Sequence, residues 1–124
     1  MSPTRHEVLS EFRTAAILRA ASRLFAEGGF AGTTVEDIAR AAGVAKGTVY
    51  LYFPSKEDVY RAAFLRNIEE LRERTLAALA GAEGVAAKLL AFIRTKLAYF
   101  DEHRAFFAVY FAEIAGGAGR GGLQ

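Results

Sequence analysis

Residues 34–53 read TVEDIARAAGVAKGTVYLYF. A threonine hydroxyl at a helix N-cap accepts from a first-turn amide, and a carboxylate three residues later completes a capping box. Thr33 with Glu36 and Thr34 with Asp37 both satisfy that offset, so the spacing leaves two registers open. Val35, Ile38, Ala39 and Ala42 recur at helical steps and predict a short helix over 34–41. Gly43 ends it, because glycine takes the positive φ of a tight turn. A second short helix is expected over 45–51. Two helices crossing steeply over a roughly three- to four-residue turn need a small residue at their closest approach, a glycine in the turn and an apolar wedge. Ala39, Gly43 and Val49 supply these in order, and Ile38, Val44 and Phe53 complete a small core. This is the spacing of a helix-turn-helix.

The other face of the second short helix carries Lys46, Gly47, Thr48, Tyr50 and Tyr52. Two tyrosines facing water lose apolar stabilisation unless a partner covers them. Their hydroxyls, the Lys46 ammonium, the Thr48 hydroxyl and a free helix N-terminus are groups that hold phosphate oxygens. Gly47 admits a close approach by a nucleic-acid backbone or base edge. The bland alternative is a helical hairpin within some other all-α domain, and the exposed face argues against it.

Outward from this unit the pattern stays helical. Leu9, Phe12, Ala16, Ile17, Ala20, Ala21, Leu24 and Phe25 form one stripe, predicting a first helix over 10–27 that stops at Gly28-Gly29. After Pro54, Ser55 is a natural N-cap with Asp58 three residues on. It opens a long fourth helix with Val59, Ala63, Phe64, Ile68, Leu71 and Leu79 as its apolar positions, broken by Gly81 and Gly84. A fifth helix over 85–101 carries Val85, Leu89, Phe92, Ile93, Leu97 and Phe100. A sixth over 104–115 carries Phe106, Phe107, Tyr110, Phe111 and Ile114. The final stretch, 116–124, holds five glycines and is expected to be a flexible tail. With 25 alanines and almost no β-branched runs, the chain reads all-α.

Composition narrows the function classes. At 124 residues and 52% apolar, most of the chain is too hydrophobic for intrinsic disorder. Charges interrupt every apolar run before it reaches the roughly 20 residues of a membrane span. Residues 1–12 lack the apolar core of a signal peptide. The absence of cysteine excludes a disulfide framework, zinc-finger spacing and a thiol nucleophile. These features predict a soluble, cytoplasmic protein. Residues 1–56 hold seven basic and five acidic side chains, whereas the remainder holds nine of each. The slight positive excess thus lies beside the helix-turn-helix, which is compatible with a nucleic-acid partner but too small to argue for one. His6 and His103 stand apart, with no acidic cluster at metal-ligand spacing, and Gly-rich 116–122 follows no strand. No catalytic residue, metal or cofactor is expected.

The motif Gly29-Phe30, Thr33-Thr34-Val35, Asp37-Ile38-Ala39, Ala42-Gly43-Val44, Gly47-Thr48-Val49-Tyr50, Tyr52-Phe53 and Lys56 resembles the TetR family of bacterial transcription regulators. The likeness covers roughly 11–71. It implies an N-terminal three-helix DNA-binding domain over 11–71, with the helix-turn-helix at 34–53. A long fourth helix would join this to a helical effector-binding and dimerisation domain, of which 72–115 is the start. The resemblance further implies that the helix bearing Lys46 to Tyr52 enters the major groove. Tyr50, Tyr52, Thr33, Thr34 and Lys56 would meet phosphates. Lys46 and Thr48 would reach base edges, with Val44 and Ala45 touching a thymine methyl. A small, apolar effector would lie among the aromatic side chains of the later helices, with Phe64, Phe92, Lys96, Tyr99, Phe107 and Tyr110 as candidates. The expected function is a sequence-specific DNA-binding regulator, a ligand-responsive repressor that binds a double-stranded operator as a homodimer. Family members run longer than this chain, and their last two helices form the dimer bundle. The alternative is a helical protein-interaction module that keeps a helix-turn-helix without binding DNA.

Overall fold

Threonine caps open the first two helices. In a computed structural model describing residues 2–115, Thr4 accepts from the Glu7 amide and Glu7 accepts in return from the Thr4 amide, at 3.1 and 3.2 Å. This capping box starts α1 at Arg5 and carries it to Gly28, five residues ahead of the start expected from the apolar stripe. The stripe misplaces that start because the early turns bury nothing: Phe12 is 68% exposed and Leu9 is exposed as well. The buried part of α1 begins at Ile17 and continues through Leu18, Ala20, Ala21 and Phe25.

Thr34 caps α2 (Val35–Ala42), with reciprocal bonds to Asp37 of 3.0 and 3.1 Å, which decides between the two registers. Gly43 follows in the left-handed conformation at φ 74°, as the turn requires. Next comes α3 (Lys46–Tyr52), whose cap residue Ala45 offers no side-chain bond. Ser55 accepts from the Asp58 amide at 3.2 Å and opens α4 (Lys56–Ala80). The chain then forms α5 (Val85–Glu102), α6 (Arg104–Val109) and a π-helical turn over Tyr110–Ala115. That last turn replaces the second half of the single helix expected over 104–115. The expected tail at 116–124 lies outside the described residues.

The described residues are all-helical. Ile17, Ala21 and Phe25 of α1 form a continuous core with Ile38 and Ala39 of α2, Val49 of α3 and Val59, Tyr60 and Ala63 of α4. Tyr60 extends this core toward the C-terminal helices. Its ring meets Phe25 edge-on at 5.3 Å and Phe106 at 4.9 Å, and its hydroxyl donates to the Phe106 carbonyl at 2.9 Å. Burial pushes that hydroxyl's pKa up to about 12.

Farther along α4, Asn67, Leu71 and Thr75 are buried against α5. The fifth helix departs from expectation. Its apolar stripe stays exposed, from Val85 at 85% through Leu89, Phe92, Ile93 and Leu97 to Phe100. What α5 buries instead is Tyr99, whose hydroxyl lies 3.2 Å from Asn67 Oδ1 and 3.3 Å from Glu70 Oε2. Arg74 ties the same two helices together, donating to Glu70 at 2.7 Å and to Glu102 at 3.2 Å. No helix among the described residues is long and apolar enough to cross a membrane.

Candidate nucleic-acid interface

Val49 is fully buried and anchors α3 against α1, α2 and α4 through the common core. Gly47 and Leu51, two residues to either side, project away from the core, Thr48 and Tyr50 project sideways, and Lys46 and Tyr52, three residues away, flank the buried side. Ala45, Lys46, Gly47 and Tyr50 are exposed, and Thr48 and Tyr52 are half-buried. An added Cβ at Gly47 would meet nothing within 4 Å, so this part of α3 is open. Val44 is half-buried and packs at the edge of the core, with its amide bonded to the Ala39 carbonyl.

Lys46 is not free on this surface. Its ammonium donates to Glu36 Oε1 at 2.7 Å, bridging α3 to the first turn of α2, and sits 6.0 Å from the centre of the Tyr50 ring. The bond holds the Glu36 carboxyl below its ordinary range and raises the Lys46 ammonium. Tyr52 reaches the other way, its hydroxyl 3.4 Å from Ser10 Oγ on α1. That contact lowers the phenol's pKa, with Arg13 adding to the effect.

Two residues expected on the surface are committed to the fold instead. Thr33 is 2% exposed, and its hydroxyl donates to the carbonyls of Gly29 at 2.8 Å and Leu24 at 3.1 Å. It closes the α1–α2 loop, while the neighbouring Thr34 remains exposed. Lys56 turns inward, donating to the Phe30 carbonyl at 2.7 Å and lying 4.2 Å from the centre of the Phe30 ring. The same loop needs glycine at position 32, where a Cβ would fall 2.2 Å from the Gly28 carbonyl oxygen. Conversely, Glu36, expected only as a capping carboxylate, and the 80%-exposed Leu51 also belong to this surface. Glu36 and Lys46 are ten residues apart on different helices, a pairing that no single-helix spacing rule detects.

Of the six side chains proposed for an effector pocket, Phe64, Tyr99, Phe107 and Tyr110 form one connected aromatic cluster, Phe64 meeting Phe107 at 5.4 Å, whereas Phe92 and Lys96 lie on the outer side of α5. Tyr99 and Phe107 are core, packed 6.1 Å apart. Phe92 and Lys96 pair with each other on α5, the ammonium 4.7 Å from the ring centre. Phe64 and Tyr110 stack at 5.0 Å and, with Tyr60, Arg61 and Leu65, line a cleft of about 280 Å³. Among the described residues, no cluster of three His, Cys, Asp or Glu side chains could hold a metal ion.

Comparison with known proteins bears on this arrangement. Residues 17–63 match the model of the family described as bacterial regulatory proteins, tetR family. The chain is similar to the HTH-type transcriptional regulator RutR of Escherichia coli K12, with 37% identity over 103 residues. That alignment covers 83% of this chain and 48% of RutR. It is also 43% identical over 58 residues to the fatty acid metabolism regulator protein of Bacillus subtilis, covering 47% of this chain and 30% of that protein. Among solved structures, the fatty acid degradation regulator FadR from Bacillus halodurans superposes with a TM-score of 0.70 at 30% identity. The superposition covers 82% of this chain and 53% of that one. The chain therefore spans half or less of the length of the curated relatives it matches.

Proposed function

Because this chain belongs to the TetR family of bacterial regulatory proteins, we propose that it is a sequence-specific DNA-binding transcriptional regulator, and more specifically a ligand-responsive repressor. The observation that carries this reading is the exposed surface of α3, where Lys46 and Tyr50 stand on a helix locked from behind by Val49. In this assignment α3 enters the major groove, with Lys46 and Thr48 at base edges and Val44 and Ala45 near a thymine methyl. Tyr50, Tyr52 and Thr34 hold phosphates, and Gly47 lets the duplex come close. Thr33 and Lys56 support the surface from within.

We assign 11–71 to DNA binding and 72–115 to the start of an effector-binding and dimerisation unit, with α4 running across the boundary. One helix-turn-helix makes few contacts, so a homodimer is proposed. Its two recognition helices would read half-sites about 34–36 Å apart on one side of the duplex. An effector releases the operator only if it binds one of two conformations more tightly than the other. We place it as a small, apolar molecule.

Fluorescence-anisotropy titration tests the DNA assignment. Duplex from upstream of the protein's own gene is compared with scrambled duplex over a salt series. The expected result is tighter binding to the upstream duplex, falling steeply as salt rises. Lys46→Ala should weaken specific binding about tenfold or more. Tyr50→Ala should weaken binding to both duplexes alike. Affinity unmoved by either substitution would overturn the assignment and favour a protein-interaction module.

A further inference from the structure

Residues 5–16 of α1 bury no side chain, and the helix first enters the core at Ile17. A helical segment without burial is marginal by itself, so this one depends on its Thr4 cap and on what it meets sideways. What it meets is the last turn of α3, where the Tyr52 hydroxyl donates to Ser10 Oγ at 3.4 Å. The Arg13 guanidinium lies close enough to the same hydroxyl to lower the phenol's pKa.

His6, Ser10 and Arg13 follow one another at four- and three-residue steps, so they share the α1 face that continues into the core as Ile17. Arg13 is exposed and pairs with no carboxylate among the described residues. Glu7 and Glu11 stand on other sides of the helix, and Glu7 is engaged at the cap. The edge where α1 meets α3 therefore presents an uncommitted guanidinium directly beside the proposed duplex-binding surface.

We propose that α1 adds a DNA-backbone contact to the α3 surface: Arg13 holds a phosphate just beyond the last turn of α3, and Ser10, acting through Tyr52, is a positioning residue that keeps the two helices at the spacing this contact needs. The inference rests on the reading of α3 as the helix that enters the duplex. Arginine suits the place because its planar fork matches two oxygens of one phosphate. A phosphate carries no base identity, so the contact raises affinity for every duplex alike and leaves sequence choice to α3.

Anisotropy titrations on scrambled duplex over a salt series isolate this contact from base reading. The wild-type chain is compared with Arg13→Gln, Arg13→Lys and Arg19→Gln, the last removing the same charge from another side of α1. Arg13→Gln should weaken binding about three- to tenfold and reduce the slope of log affinity against log salt by about one. Arg13→Lys keeps the charge and loses the fork, so it should restore the slope and part of the affinity. Arg19→Gln should leave the slope at its wild-type value. Ser10→Ala should weaken the wild type about two- to threefold and change nothing further in the Arg13→Gln background. A wild-type slope that Arg13→Gln leaves intact, a slope that Arg19→Gln lowers equally, or additive effects of Ser10→Ala and Arg13→Gln would overturn the proposal. Wild-type affinity indifferent to salt would instead overturn the reading of α3 itself.

Discussion

At the scale of single residues, the Lys46–Glu36 pair is the most informative contact, because it joins a proposed DNA-reading side chain to a carboxylate on the same surface. Both partners are exposed, so the bond adds little to stability and much to where the ammonium sits. Glu36→Gln should leave the unfolding midpoint nearly unchanged and raise duplex affinity a few-fold, most clearly at low salt. Anisotropy at two salt concentrations measures both effects. A drop in affinity would mean that Glu36 positions Lys46 for contact. The residue types on α3 were legible in the sequence, since a buried Val49 sets which positions face the solvent. The competition for Lys46 was not, because it arises only when two helices are brought together. Thr33 and Thr34 make the same point: adjacent and chemically identical, they part because one faces the loop interior and the other the helix end.

At the scale of elements, caps and turn glycines define the helix-turn-helix, and so they are where it can be weakened. The α2 helix has only 8 residues and depends on its tertiary contacts and its cap. Thr34→Ala removes the bond from the Asp37 amide to the Thr34 hydroxyl, keeping the one from the backbone amide of residue 34, and should cost about 1 kcal/mol, read as a lowered urea midpoint. Thr34→Ser should restore most of it. Between elements, Tyr60 joins α4 to α6 through a buried hydrogen bond. Tyr60→Phe should cost about 1 kcal/mol. The wild-type phenol titrates at about 12 in the folded chain, against an ordinary value of 10.0. A raised folded pKa favours the protonated form, so stability is fully present below pH 10 and declines as pH rises from there toward 12. Denaturation curves across that window should show the decline in the wild type, and Tyr60→Phe should lack this component of it.

At the scale of the whole molecule, the two halves of the chain differ in how much of their apolar surface is used. Most apolar positions predicted for α2 and α3 are buried or packed against the core, whereas the α5 stripe of Leu89, Ile93, Leu97 and Phe100 faces outward. A contiguous exposed patch of this kind is uncommon on a monomer and favours association. Sedimentation velocity should therefore show concentration-dependent self-association of this chain. Leu97→Glu, at a position 66% exposed, should reduce it without lowering the unfolding midpoint. A monomer at every concentration would show that the α5 face is tolerated in water.

The all-helical class, the order of the helices and the Ala39–Gly43–Val49 spacing are already written in the chain. These rest on periodicity and on backbone preferences that act over a few residues. The exposure of Gly47 and Tyr50 follows from the same periodicity, because a buried Val49 orients a helix of 7 residues, whereas Lys46 and Tyr52 lie at the two ends of the buried side. Which apolar stripes find partners, and the inward bonds of Thr33 and Lys56, follow from how the helices pack. Packing also pairs Lys46 with Glu36 across two helices. Each of these depends on groups far apart in the chain, or on different helices, meeting at a distance of a few ångströms, which local spacing does not encode.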